Sequence, residues 1–183
     1  LIRDRNGVGR AAEYFPTSTV EYCPDLAFGI GPLTPAGRPD HDVVLLKRTD
    51  SESAHPAALV PAELRAIAYV HDWRLDWFGK DLRWWPQSLA IVAMCGVGAL
   101  RRRVFPYSAR VFESQSTAIL RSAIATLSRG AIVVTDRLHA AILGVLLGKP
   151  VVMVDNTDHK VAAAYQDYLR SVPDVRLADD FEE

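Results

Sequence analysis

Apolar runs with strand character alternate with longer helical stretches along this chain. Val43–Lys47 (VVLLK) follows the turn-forming Pro39-Asp40-His41-Asp42 and predicts a strand, as do Ala131–Val134 (AIVV) and Pro150–Val154 (PVVMV). Between the last two, Leu138–Leu147 reads as an apolar helix stopped by Gly148, and Lys160–Leu169 as a final helix. These make a βαβα unit over the last third of the chain. Near-continuous apolar strands separated by helices predict a parallel sheet covered on both faces, an α/β, Rossmann-like architecture. Earlier elements are shorter. Leu1–Arg3 and Thr19–Cys23 read as strands, and Val8–Phe15 as a short helix. Ala62–Trp73, Ser88–Leu100 and Ala109–Ser128 read as helices, the last with a mostly apolar stripe through Val111, Ala118, Ile119 and Ser122. Trp73, Trp77, Trp84 and Trp85 cluster in one segment, a spacing that suits core or interface packing.

At 183 residues the chain is long enough to bury its own core, as one domain or one domain with an extension. Its 49% apolar and 23% charged residues exclude disorder, collagen and coiled coil. A net charge of −1 leaves no global field to attract nucleic acid, so any anionic ligand must be held by a few placed cations. Cys23 and Cys95 match no metal spacing and read as reduced core thiols. The longest charge-free apolar run, Leu89–Leu100, is too short to span a membrane and predicts a buried helix, although Arg101-Arg102-Arg103 behind it would suit a membrane surface. No signal peptide is visible. The chain opens on LIRD without an initiator Met, so it reads as the latter part of a longer protein.

Polar residues follow the predicted strands. Arg3-Asp4, Pro24-Asp25, Arg48-Thr49-Asp50, Thr135-Asp136-Arg137-Leu138-His139 and Asp155-Asn156 would all fall on one edge of the sheet, where open α/β folds bind ligands. With Thr135 or Asp136 as N-cap, Arg137 and His139 enter the first helical turn. Cations there oppose the helix dipole by about 0.3–1 kcal/mol each. A phosphate or carboxylate would reverse that sign by meeting backbone N–H groups, dipole and guanidinium together. The alternative is internal: Arg137 pairs with Asp136 or Asp155, and His139 is a satisfied imidazole. His41, His55 and His71 read as solvated, and His159-Lys160 either leans over the same edge or stays clear of it. There is no GxGxxG, P-loop, CxxC or GxSxG, and no pair of histidines at metal-ligand spacing, so neither a bound cofactor nor a metal is indicated.

Residues 133–169, VVTDRLHAAILGVLLGKPVVMVDNTDHKVAAAYQDYL, resemble the C-terminal block of the bacterial polysaccharide pyruvyltransferases: strand, TDRLH, apolar helix, G-x-P, strand, then D-N-x-x-x-K. Arg3-Asp4, Pro24-Asp25-Leu26-Ala27 and the strand-terminal Arg48 are similar to upstream landmarks of that family and occur in the expected order. The resemblance is weakest over residues 52–107. It implies the C-terminal domain of a GT-B-type fold. Residues 1–50 would be a strand-rich lead-in, the end of an acceptor-binding N-terminal domain missing here, and residues 51–183 the Rossmann-like C-terminal domain. Such a fragment is not expected to catalyse alone.

The resemblance also implies a chemistry. The family moves a carboxyethylidene group from phosphoenolpyruvate to a saccharide, making a pyruvate ketal for exopolysaccharide or other cell-surface polysaccharide and releasing phosphate. Arg137 would bind the donor's anionic groups and His139 would be the acid that protonates its methylene carbon. A bound dianion would help charge that acid against the helix dipole. Arg48 and Lys160 are further phosphate or carboxylate contacts; Arg3 is either another or half of an internal salt bridge. Asp25 either accepts from an acceptor hydroxyl or caps the following turn, and Asn156 holds the loop or a ligand oxygen. The saccharide acceptor, lipid-linked or not, would bring the Trp-rich and Arg101–Arg103 region to a membrane surface if it is lipid-linked. The missing signal, reduced cysteines and cytosolic donor point to a cytoplasmic location. The competing readings are a GT-B glycosyltransferase with a nucleotide-sugar donor and a non-catalytic binding module from a truncated copy.

Overall fold

The computed structural model describes residues 1–48, 60–72, 77–157 and 159–181. They fall into two compact units, residues 1–73 with 124–183, and residues 74–123.

The first unit is built on five strands: β1 (His41–Leu46), β2 (Ala68–His71), β3 (Gly130–Thr135), β4 (Val151–Val154) and β5 (Val175–Ala178). All neighbours are parallel, in the order β2-β1-β3-β4-β5. Chain progress across the sheet reverses between β1 and β3, where loops diverge and leave a crevice at the carboxyl ends. Leu46 pairs in register with His71 on one side and Thr135 on the other, so these three strands end level. Both faces are covered. On one, Leu45 and Val154 pack with Val60 and Phe181 against Leu64 of helix α2 (Ala62–Ile67). On the other lies α5 (Leu138–Leu146), buried from Leu138 through Gly144 apart from His139. A Cβ at Gly144 would stand 2.9 Å from Val151 Cγ2 and 3.3 Å from Val133 Cγ2, so glycine lets α5 sit directly on β3 and β4. Gly148, at φ 66°, provides the left-handed stop anticipated after this helix. Helix α6 (Lys160–Ala164) runs on into a π-helical turn, Tyr165–Leu169.

Residues 1–33 are fastened to this unit. Helix α1 (Arg5–Tyr14) is capped by Asp4, whose carboxylate accepts from Gly7 N at 2.6 Å. Arg5 N donates to Asp167 Oδ2 at 2.9 Å, and Leu33 N to the Leu146 carbonyl at 2.7 Å. The two strands expected here reduce to a single parallel bridge between Ile2 and Tyr22, outside the main sheet. The helix expected over Ala62–Trp73 ends at Ile67, because the AYVH that follows pairs with β1 as an edge strand. β1, which precedes residue 50, is hydrogen-bonded on both sides within the sheet of the first unit. Cys23 lies in this unit and Cys95 in the other; both are free and half-buried rather than core.

The second unit holds α3 (Trp77–Cys95) and most of α4 (Gly98–Ser128), whose last turns from Ile124 belong to the first unit. The helices expected from Ser88 and from Ala109 begin earlier, and run through Pro86 and Pro106 respectively. The run Leu89–Leu100 is not a buried helix: it spans the end of α3, a turn and the start of α4, and Leu89, Val92, Val97 and Leu100 are exposed. Trp85 is exposed too, against the packing role expected for it. Trp73, and the side chains of Trp77 and Trp84, lie outside what is described. No described helix is long and apolar enough to cross a membrane.

Candidate active site

The site grows from the polar residues that leave β3. Thr135 is fully buried; its hydroxyl donates to the Leu46 carbonyl at 2.8 Å and accepts from Arg137 N at 3.0 Å. Asp136 is 1% exposed and accepts from Arg48 N through both oxygens, at 2.9 and 3.1 Å. Burial pushes the Asp136 carboxyl up from its ordinary value, against the pull of the Arg48 N–H and the Arg137 charge. These two side chains tie the exits of β1 and β3 together, which is why neither caps α5. The N-cap is Arg137 itself, with extended backbone and no side-chain cap, correcting the expected Thr135 or Asp136. Arg137 and His139 are thereby presented from a fixed helix start.

A cavity of about 310 Å³ opens at this point. Arg3, Arg48, Arg137, His139, Asn156 and Lys160 line it, brought from four separate segments, and among the described residues no carboxylate shares its wall. The strand ends anticipated from sequence do converge, although Thr49 and Asp50 lie outside the described residues. Arg137 Nη2 lies 2.6 Å from Asp72 Oδ1, both side chains largely buried. Its partner is thus neither Asp136 nor Asp155. Asp155 is engaged elsewhere: His159 Nδ1 is 2.6 Å from one oxygen and Ala162 N donates to the other at 2.9 Å. His159 is largely exposed and lines no part of this cavity, whereas Lys160 does. Asn156, almost fully buried, accepts from Lys160 N at 3.1 Å and so holds the loop that carries that lysine.

Asp25 joins the two halves of the site. It is 9% exposed; one oxygen accepts from Ala27 N at 3.0 Å, capping the 3-10 turn Leu26–Ile30. The other lies 3.2 Å from Arg3 Nη1 and 3.5 Å from His139 Nε2. Arg3 is therefore both an internal ion pair and a cavity wall. A second cavity, about 510 Å³ and more apolar, adjoins the first, with Arg3 and His139 in both linings and Ile2, Cys23 and Asp25 among the rest. Two ligands held in these cavities would meet at the His139 imidazole.

Asp72 was not anticipated. Its segment read as part of a helix, and its partner lies 65 positions further along the chain. His41 and His71 also differ from expectation: His41 opens β1 beside Asp40, 2.8 Å away, and His71 ends β2 with its ring stacked on Tyr69. His55 lies outside the described residues.

Comparison with known proteins matches this arrangement to one group. Residues 2–159 fit the family model described as "Polysaccharide pyruvyl transferase". The chain is 30% identical over 180 residues to the Bacillus subtilis protein named "Putative pyruvyl transferase EpsO", covering 97% of this chain and 52% of that protein. Among solved structures, a functionally uncharacterized protein of Klebsiella pneumoniae shares the fold at a TM-score of 0.55 and 24% identity, over 97% of this chain and 54% of the other. The chain thus spans about half the length of the relatives it matches. With its match running from the Arg3 strand end through the RLH helix start to the DN loop, this chain belongs to the polysaccharide pyruvyl transferase family.

Proposed function

We propose that this chain forms the donor-binding half of an enzyme that transfers a pyruvyl group from phosphoenolpyruvate to a saccharide. The observation that carries the reading is the convergence of Arg3, Arg48, Arg137 and Lys160, with His139, on one cavity of about 310 Å³. Arg3 and Arg137 also pair with Asp25 and Asp72 behind the wall, and four cations converging on so small a space attract an anion between them. Phosphoenolpyruvate offers a phosphate and a carboxylate a few ångströms apart, and planar guanidinium groups grip both in pairs of hydrogen bonds. The dipole of α5 adds to the same pull.

His139 stands at the edge of this cavity and is the proton donor of the reading. Its imidazolium gives a proton to the methylene carbon, whose π electrons form the new C–H bond and leave an oxocarbenium-like C2. An acceptor hydroxyl adds to C2 and returns its proton to His139. The C2–O bond to phosphate then breaks, phosphate leaving with the electron pair, held by the arginines. A second hydroxyl of the same sugar closes the ketal and gives its proton to the departing phosphate. Asp25, within 3.5 Å of Nε2, orients the ring for the first and second steps. The adjoining 510 Å³ cavity is where the saccharide would approach. Exopolysaccharide or another cell-surface polysaccharide as the product, in the cytoplasm, completes the reading.

Calorimetric titration of the chain with phosphoenolpyruvate tests it, beside Arg137→Ala and His139→Ala. Saturable binding that is lost in Arg137→Ala and kept in His139→Ala is the expected result. A nucleotide-sugar that binds while phosphoenolpyruvate fails to compete would overturn it in favour of glycosyl transfer.

A further inference from the structure

Charge is segregated in this chain. Residues 74–123 carry eight Lys and Arg against three Asp and Glu, although the whole chain carries 21 against 22. The basic stretch is also where apolar side chains stand in water. Trp85, Leu89 and Val92 are 65%, 59% and 71% exposed and recur at i, i+4 and i+7, one stripe of α3. Phe105 and Phe112, near 70% exposed, lie two turns apart on one side of α4. Between the two stripes come the exposed Val97 and the exposed Arg101-Arg102-Arg103. These arginines sit close to the positive end of α4, whose first turn has no acidic residue to offset them.

We propose that the α3–α4 turn and its two apolar stripes are a peripheral docking surface for an anionic phospholipid membrane. Chemistry separates three of the occupants such a surface could take. A second copy of this chain would bring arginines against arginines, an arrangement that repels. A nucleic acid would use the arginines and stack its bases on Trp85 and Phe105, but leave the aliphatic Leu89, Val92 and Val97 in water. A lipid surface takes both sets at once: Trp and aliphatic side chains enter the headgroup and upper acyl region while arginines meet phosphates at its level. No described helix is long and apolar enough to cross, so the contact lies in the plane of the surface. The proposal is independent of the donor-site reading, whose residues all belong to the first unit.

Co-sedimentation of the chain with vesicles tests it, using phosphatidylcholine alone and phosphatidylcholine with 30 mol% phosphatidylglycerol, at about 0.1 M salt. The expected result is binding to the anionic vesicles at least tenfold tighter than to the neutral ones, weakened by raising the salt. Arg101→Gln/Arg102→Gln/Arg103→Gln should lose roughly a hundredfold, about a factor of five for each arginine near the surface. Leu89→Ser/Val92→Ser should also weaken binding, and at high salt should remove what remains. Because all these side chains are exposed, thermal melting should be unchanged, which shows that the variants fold. Absent or charge-independent vesicle binding, full affinity in the triple arginine variant, self-association that excludes vesicles, or equally tight binding to a double-stranded oligonucleotide would each overturn the proposal.

Discussion

The carboxylate of Asp136 accepts the Arg48 backbone N–H at 2.9 and 3.1 Å, joining the ends of two strands that are 88 positions apart in sequence. This contact positions an arginine without touching its guanidinium. Arg48 can face the cavity because its own backbone is fixed from behind by β3. The first two residues of the TDRLH segment are thus framework, and the three that follow, Arg137 and His139 with Leu138 between them, line the cavity.

Asp136→Ala should therefore cost stability and ligand affinity together. Removing the acceptor leaves a largely enclosed N–H unpaired, a loss of about 1–3 kcal/mol, and frees the Arg48 loop. Chemical denaturation and phosphoenolpyruvate titration of the variant measure the two effects. An affinity change without any stability change would contradict the framework role.

Asp136→Asn has a different signature. The folded carboxyl titrates above its unfolded value because of burial, so the wild type loses stability as pH rises through the interval between them. The asparagine cannot ionise and escapes that loss while keeping an acceptor for Arg48. Melting temperatures at pH 4 and pH 7 should show the variant gaining on the wild type as pH increases. A constant difference, or one of opposite sign, would place the burial cost elsewhere.

Arg137→Lys separates charge from geometry. The guanidinium both reaches Asp72 at 2.6 Å and lines the cavity, a division of labour that a single ammonium cannot reproduce. The lysine variant should bind phosphoenolpyruvate on the order of tenfold to a hundredfold more weakly than the wild type, nearly as poorly as Arg137→Ala. Titration of all three chains under one salt condition checks this. Wild-type affinity in the lysine variant would mean that only net charge matters there.

Much of this site was legible because its parts follow apolar strands. AIVV-TDRLH and PVVMV-DN show an unbroken apolar run followed at once by polar residues, and only the carboxyl edge of a parallel sheet gives such residues a common place. The cavity's cations could accordingly be named in advance. Other features left no local trace. β2 is a short edge strand with Val70 exposed, so AYVH lacks the unbroken apolar character of a central strand, and Asp72 after it went unread. Ile2 and Tyr22 keep one bridge instead of a ladder because Asp4 starts a helix immediately after the first of them. The helices expected over Ser88–Leu100 and Ala109–Ser128 have other bounds, because α3 and α4 continue through Pro86 and Pro106.

Asp25→Asn should split the kinetic constants of the full enzyme. The amide can keep the hydrogen bond from Ala27 N, so the turn survives, but the charge shared by Arg3 and His139 is gone. If Asp25 orients His139, kcat should fall on the order of tenfold. The Michaelis constant for phosphoenolpyruvate should stay level or drop, since Arg3 is released toward the anion. A raised Michaelis constant with unchanged kcat would instead make Asp25 a binding residue.

Tyr168 offers a test of the fold that is independent of chemistry. Its ring packs edge-on to Phe28, with centroids 5.7 Å apart, and its buried hydroxyl has no hydrogen-bond partner among the described residues. Burial, with Asp25 adding to it, pushes the phenol up to about 12, so the folded chain resists forming tyrosinate. The sign follows from linkage: the unfolded phenol ionises near its ordinary value of about 10, and wild-type stability falls as pH rises from there toward the folded value. Tyr168→Phe removes an unsatisfied polar group and the ionisation with it. The variant should be as stable as the wild type at pH 7 or more stable by about 1 kcal/mol, with its advantage widening above pH 10. Urea denaturation at pH 7 and pH 10.5 measures both points. A clear loss of stability at pH 7 would reveal a partner for the hydroxyl and would mean that residues 26–30 are held to the π-helical turn by more than ring packing.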